Sequence, residues 1–299
     1  MKSITGLLLI NLVLLTLALG GCRATNTPPT ADALSVVATT NIVGDVVSRV
    51  GGDRIKLTTL MKVGVDPHSY APTPADTAAI HDAQAVFANG AGLEENMAKM
   101  LARAGGNAMR ISLADGLDLR EMANGESDPH LWFDVQNVIQ WVRTIERTLS
   151  DLDPDGAQTY AANAGAYIRE LETLDTWIAE QISSIPPRNR KLVTSHPAFG
   201  YLADRYGLEQ VGAVYPINPS SEPSAQDIAR LQDVINDYGL PAVFAESTIN
   251  PKVSEQIAQD TDVKLVPLYT GSLGGPGSGA ETYIEMMRYD VRAIAEALK

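Results

Sequence analysis

Short apolar runs alternate with amphipathic stretches along most of the chain. The runs are typical of buried strands, and the stretches repeat apolar residues every three or four positions, as helices covering a sheet do. In the first half the predicted strands are 34–39, 55–60, 85–88 and 109–112, and the predicted helices are 42–50, 74–81, 94–104 and 135–149. In the second half the predicted strands are 191–194, 209–214, 242–245 and 263–268, and the predicted helices are 198–206, 224–238, one begun by Asn250 and Pro251, and 281–298. This alternation predicts an α/β fold with two parallel sheets, each flanked by helices.

One long amphipathic segment separates the two halves. Between 156 and 183, apolar residues recur at three- and four-residue spacing: Tyr160, Ala164, Tyr167, Leu171, Leu174, Ile178 and Ile182. Such a stripe predicts a single helix roughly 40 Å long, and a coiled-coil seam would need more heptads. We therefore expect an amino-terminal lobe at 34–153, a rigid linking helix at 154–187 and a carboxy-terminal lobe at 188–299.

The first 21 residues have the pattern of a signal peptide. Lys2 is their only charged residue, and the apolar run after it is too short to span a bilayer. Cys22, the only cysteine, directly follows Leu-Gly-Gly, which resembles the bacterial lipobox, where this cysteine is lipidated. We expect 1–21 to be removed and 22–33 to form a polar tether. A lone cysteine excludes a disulfide framework or a thiolate metal site.

The charge balance narrows the class of partner. The chain has 36 acidic and 23 basic residues and a net charge of −13 at pH 7. This excess of negative charge argues against nucleic acid or an anionic lipid surface as a partner.

Three of the four histidines lie in turns that contain proline. His68 and His130 each end an Asp-Pro-His tripeptide, and His196 precedes Pro197. All three follow predicted strands, and ligands of open α/β sheets bind beyond the carboxyl ends of strands, so the rings should converge between the lobes. Three imidazoles can hold zinc and leave a fourth position for water or a carboxylate. Three unrelated loop histidines are the alternative; His81, on a predicted helix, is expected at the surface or in packing.

Three carboxylates are candidates for supporting these histidines. Asp66 and Asp128, two residues before their histidines, are predicted to orient the rings, and capping of the two turns explains them equally well. Glu246 ends a predicted strand at the same edge. It is a candidate for the fourth ligand or for a group that orients one.

Four motifs in order resemble the zinc- and manganese-binding lipoproteins of bacterial ABC transporters. They are Asp66-Pro-His-Ser-Tyr70, Asp128-Pro-His-Leu-Trp-Phe-Asp134, Thr194-Ser-His-Pro-Ala-Phe-Gly-Tyr201 and Thr282-Tyr-Ile-Glu-Met-Met287. The resemblance implies two lobes on a rigid helix and one divalent ion held by His68, His130 and His196. It implies that the protein delivers this ion to the permease subunits of a transporter. It also implies an extracytoplasmic protein that is anchored to the membrane by lipid, and we expect this protein to be a monomer. It also allows a further role in cell adhesion.

The chain departs from this family pattern at the fourth ligand. Family members commonly have an aspartate in the loop after the last strand, where this sequence has Gly271 and no carboxylate through Gly279. Imidazole suits zinc and carboxylate suits manganese, so the predicted ligands favour Zn²⁺, with Mn²⁺ as the alternative.

Two other functions fit parts of the sequence. A zinc-dependent hydrolase or hydratase can also use three histidines and a bound water, but the chain has no His-Glu-x-x-His motif. A binding protein for a chelated metal or a vitamin would leave the three histidines without a shared role. We therefore predict a metal-binding receptor and not an enzyme.

Overall fold

The amino-terminal lobe is built on a four-stranded parallel sheet. The computed structural model describes residues 33–215 and 223–299. The strands, in the order β2-β1-β3-β4 across the sheet, are β1 (Leu34–Ala38), β2 (Ile55–Thr59), β3 (Ala85–Ala88) and β4 (Met109–Ser112). The helices are α1 (Asn41–Gly51), α2 (Pro74–Asp82), α3 (Glu95–Arg103) and α4 (Val135–Leu152). Val36 and Phe87 pack on one face of this sheet, and Val37 and Val86 pack on the other.

The long helix α5 (Ala157–Ser183) follows a short 3-10 turn. The residues that it buries are the seven of the predicted stripe. Asp153 prepares its start, because its carboxylate accepts hydrogen bonds from Gly156 N (3.2 Å) and Tyr160 Oη (2.8 Å). The prediction of one long helix between the lobes is confirmed.

The carboxy-terminal lobe repeats the sheet topology of the first. Its strands, in the order β6-β5-β7-β8, are β5 (Lys191–Thr194), β6 (Glu209–Ala213), β7 (Ala242–Glu246) and β8 (Lys264–Leu268). Its helices are α6 (Gly200–Tyr206), α7 (Ala225–Tyr238), α8 (Lys252–Asp260) and α9 (Tyr283–Leu298). Pro251, expected at the first position of α8, lies one residue before it, and Asn250 Oδ1 accepts a hydrogen bond from Lys252 N (3.2 Å). The predicted α/β fold with two parallel sheets is confirmed.

The linking helix is part of the core and does not stand free between the lobes. It packs against α1 and α4 of the amino-terminal lobe and against α6 and α9 of the carboxy-terminal lobe. Its stripe belongs to one continuous hydrophobic cluster with Phe87 of the first sheet and Phe244 of the second. Separating the lobes as rigid bodies would expose this shared core. Because α5 and α9 share it with both lobes, the predicted domain boundaries stay a prediction.

The predicted signal peptide, Cys22 and nearly all of the tether lie outside the described residues. Within the described residues, no helix combines the length and the apolar character that crossing a bilayer requires.

Candidate metal centre

The three predicted histidines lie together between the lobes. His68 follows β2, His130 follows β4, and His196 follows β5 by two residues. His130 Nε2 lies 3.2 Å from His68 Nε2 and 3.0 Å from His196 Nε2. Nitrogens bound to one zinc ion at about 2.1 Å lie roughly 3.0–3.4 Å apart. These two distances have that spacing, and the ligand atoms of all three histidines lie within 4.8 Å of one another, so one ion could contact all three.

His81 stands apart from this cluster. It lies on α2, its side chain is 59% exposed, and its Nδ1 is 3.0 Å from Asp82 Oδ1. This is the surface position that the sequence predicts for it.

The His130 ring is held by its own Asp-Pro-His turn. The buried Asp128 Oδ1 accepts from His130 N (3.1 Å) and pairs with His130 Nδ1 (2.7 Å), while Arg120 Nη1 lies 3.3 Å from Asp128 Oδ2. A proton on Nδ1 shared with this carboxylate leaves Nε2 free to bind a metal. Burial opposes ionisation of Asp128, but the bond from His130 and the charge of Arg120 outweigh it and lower the pKa of Asp128. Burial lowers the pKa of His130 despite Asp128, so the ring stays neutral.

The His68 ring has no such partner. Asp66 Oδ1 accepts from the backbone N of His68 at 3.1 Å, which is the turn-capping alternative, and no carboxylate among the described residues contacts the ring. Asn96 Nδ2 donates to His68 O at 2.6 Å. Burial, followed by the charges of His130 and His196, lowers the pKa of His68 to about 2. The ring is ready to bind a cation, but only packing orients it.

Glu246 supports His196 from the side of the ring away from the cluster. Its Oε1 accepts from His196 N at 2.7 Å, and its Oε2 lies 2.5 Å from His196 Nδ1. Oε2 also accepts from Thr270 Oγ1 at 2.7 Å. Burial alone would lower the pKa of His196, but the charge of Glu246 outweighs it and raises that pKa. With both oxygens engaged, Glu246 has the geometry of a group that orients a ligand rather than that of the fourth ligand.

A buried network behind His130 has no counterpart in the sequence predictions. Glu94 accepts hydrogen bonds from Thr39 Oγ1 (2.7 Å), Asn89 N (2.7 Å) and Gly90 N (3.0 Å). Asn89 Nδ2 in turn donates to Pro129 O at 2.9 Å. Burial raises the pKa of Glu94 against these bonds. The one signal for this loop in the sequence is the Asn89-Gly90 pair after β3, which indicates a turn. Nothing in the sequence connected Glu94 with Pro129.

Gly271 lies against the His68 turn. A Cβ added at this position would lie 2.6 Å from Pro67 Cδ and 3.1 Å from Pro67 Cγ. Real Cβ contacts are essentially never that short, so any side chain here has to displace the turn or the loop. The close approach of the two lobes at this point therefore depends on glycine.

Comparison with known proteins places this geometry in a family. Residues 36–297 match the family model described as ZnuA, zinc-uptake complex component A, periplasmic. The manganese-binding lipoprotein MntA of Halalkalibacterium halodurans is 35% identical over 301 residues, covering 100% of this chain and 99% of its own length. MntA of Bacillus subtilis is 32% identical over 295 residues, covering 95% and 96%. The periplasmic zinc-binding protein TroA of Treponema pallidum superposes with a TM-score of 0.84 at 29% identity, covering 89% of this chain and 99% of TroA.

Proposed function

The chain belongs to the ZnuA family, and from this premise we propose that it captures one divalent transition-metal ion between its lobes and delivers it to an ABC permease. The matched family consists of substrate-binding components of transporters, so the chain is a binding protein and not an enzyme. The hydrolase alternative is thereby set aside.

The observation that carries the proposal is the convergence of three imidazoles. The ligand atoms of His68, His130 and His196 lie within 4.8 Å of one another in a site where two of the rings are buried. Carboxylates contact the far nitrogens of His130 and His196, as supporting groups do in metal sites. We assign these three Nε2 atoms as the ligands.

Zinc is the ion that this ligand set fits best. Imidazole nitrogen suits zinc, and the harder carboxylate oxygen suits manganese. Gly271 has no side chain to contribute, and both oxygens of Glu246 are occupied. The relatives named above include manganese-binding and zinc-binding proteins, so the proposal rests on the donor atoms of this chain.

Calorimetric titration of the metal-free protein with zinc and with manganese tests this function. We expect one ion per chain and tighter binding of zinc. Alanine at His68, His130 or His196 should lower affinity by more than the roughly 10–100-fold typical of a supporting residue, while His81→Ala should change nothing.

The possible results separate the two parts of the proposal. Equal or tighter binding of manganese would overturn the choice of zinc and leave the site intact. Wild-type affinity in the three alanine variants would overturn the site itself.

We also propose an extracytoplasmic, monomeric protein that is anchored by lipid on Cys22. The lipobox-like sequence supports this location, and several acyl chains attach a protein stably where one does so only marginally. Cys22→Ser should move the protein from the membrane fraction to the soluble fraction. A wild-type protein that is already soluble would contradict the anchor.

A further inference from the structure

A single asparagine side chain bridges the two lobes beside the metal site. Asn41, the first residue of α1, is buried, and its Nδ2 donates to Ser272 Oγ (3.1 Å) and to Lys62 O (3.2 Å). Its Oδ1 accepts from Leu273 N at 2.8 Å. The side-chain amide of Asn41 therefore both donates a hydrogen bond to the carboxy-terminal lobe and accepts one from it.

Ser272 completes the connection from the other side. Its side chain is fully buried, and its Oγ accepts from Gly64 N at 2.7 Å and donates to Leu273 O at 2.9 Å. The loop after β8 is thus bonded to the loop after β2 that carries His68. We call the contact formed by Asn41, Gly64, Ser272 and Leu273 the clasp.

The clasp lies close to the groups that position two of the proposed ligands, His68 and His196. On one side, Gly64 is four residues before His68, and Gly271 touches Pro67 of the His68 turn. On the other side, Thr270 of the same loop donates to Glu246 Oε2, which contacts His196 Nδ1. A movement of this loop would therefore disturb His68 and His196 together.

The loop after β2, which carries His68, can move at a lower cost than a whole lobe. Rotating one lobe away from the other would expose the core that α5 shares with both. Moving the loop after β2 away from Ser272 instead exchanges a few hydrogen bonds for bonds to water, because Lys62, Val63 and Gly64 are already exposed, whereas Leu273 belongs to the shared core. The cheaper motion is therefore local.

We propose that the clasp sets the rate at which the bound ion leaves, with Asn41 as its central positioning residue. This rests on the proposed metal-binding function. While the clasp is closed, the His68 turn is held against the loop after β8 and the ion is retained. When it opens, His68 moves away from His130 and His196, and the ion can leave.

Zinc dissociation into excess chelator, followed by stopped flow, tests the proposal. Asn41→Ala and Ser272→Ala should each raise the dissociation rate about tenfold, because each removes at least three hydrogen bonds. The double variant should fall well short of the product of the two effects, since the residues share one bond. Asn163→Ala is the matched control, because Asn163 Nδ2 bonds Val50 O (3.0 Å) away from the site; its rate should equal that of wild type.

Amide hydrogen exchange gives a readout that does not depend on metal. The Gly64 and Leu273 amides donate within the clasp and should exchange faster in Asn41→Ala, even in the metal-free protein. If Asn41→Ala does not fold, Ser272→Ala gives the same readout, because it removes the acceptor for Gly64 N and for Asn41 Nδ2.

The outcomes distinguish the clasp from the function on which it rests. Wild-type dissociation and exchange rates in folded Asn41 and Ser272 variants would overturn the clasp, with zinc binding unaffected. Absence of zinc binding by the wild-type protein would overturn the proposed function, and exchange at Gly64 and Leu273 would still decide whether the clasp exists.

Discussion

The two Asp-Pro-His turns have identical sequences and different surroundings. In the turn of His130, the aspartate is buried and contacts both the backbone and the ring of its histidine. In the turn of His68, Asp66 contacts the backbone alone. Both tripeptides thus make the same backbone turn, because an aspartate accepting from the amide two residues on is a local interaction. Whether the carboxylate also reaches the ring depends on what packs around the turn.

The surroundings explain this difference. Arg120 approaches Asp128 from one side, and the network of Glu94 and Asn89 holds Pro129 O from the other. The His68 turn instead meets the other lobe, where Pro67 touches Gly271. His196 resembles His130, with a carboxylate supplied by β7 in place of its own turn. Two rings are therefore fixed by carboxylates, and the third is placed by contact between the lobes.

Replacing each aspartate by asparagine should make the comparison quantitative. Asp128→Asn removes the charge that fixes the His130 ring and should lower zinc affinity about 10–100-fold. Asp66→Asn keeps an oxygen that can accept from the His68 amide, so affinity should stay nearly unchanged. Titration of both variants with zinc measures the difference. Equal losses would mean that the two aspartates have the same role after all.

The pH dependence of binding should identify His196 as the ligand for which protons compete. The pKa values of His68 and His130 are lowered, so these rings are neutral at ordinary pH, whereas Glu246 raises the pKa of His196 despite its burial. Zinc affinity should therefore begin to fall as pH drops through this raised pKa, which lies above the ordinary value of about 6.5, and then by about tenfold per pH unit.

Glu246→Gln removes the charge that raises the pKa of His196, so the fall in affinity should begin at a lower pH. Calorimetry in buffers of different ionisation enthalpy counts the proton released on binding. An onset that is the same in Glu246→Gln and in wild type would exclude His196 as the titrating group.

A side chain at Gly271 should act first on the His68 turn, which it contacts through Pro67. In Gly271→Ala the new methyl group meets Pro67. Zinc affinity should fall about fivefold, which corresponds to about 1 kcal/mol, the low end of the free-energy cost of overpacking. Adding Pro67→Ala should restore part of this loss by removing the ring that is hit. The measurement compares the zinc affinity of Gly271→Ala with that of wild type, and the affinity of the double variant with that of Pro67→Ala alone. Failure of the second substitution to rescue the first would show that the contact is not what positions the turn.

Comparing Gly271→Asp with Gly271→Ala isolates the effect of a carboxylate, because both variants add the same Cβ. If the loop is aligned correctly with the family pattern, Gly271→Asp should raise manganese affinity relative to zinc beyond the ratio of the alanine variant. Identical ratios would place the missing ligand elsewhere.

Much of the fold was predictable because hydrophobic periodicity is local. The seven-residue stripe of α5 and the apolar runs of the strands determine which face each element buries, and the predicted elements agree with the structure to within three residues at their ends. The three histidines were predictable for a related reason. Each follows a strand whose carboxyl end faces the place where ligands of such sheets bind.

The sequence alone could not determine which residues far apart in the chain contact each other. Glu246 contacts His196 across 50 positions, Asn41 bonds Ser272 across 231, and Gly271 touches Pro67 of the opposite lobe. The same Asp-Pro-His tripeptide took two roles because its surroundings, rather than its own residues, decided where the carboxylate points. Local spacing determines which residues share an edge or a face, whereas side-chain bonds between elements form only where folding brings the lobes together. The sequence therefore determined the ligand candidates, and the tertiary structure decided how each ring is held.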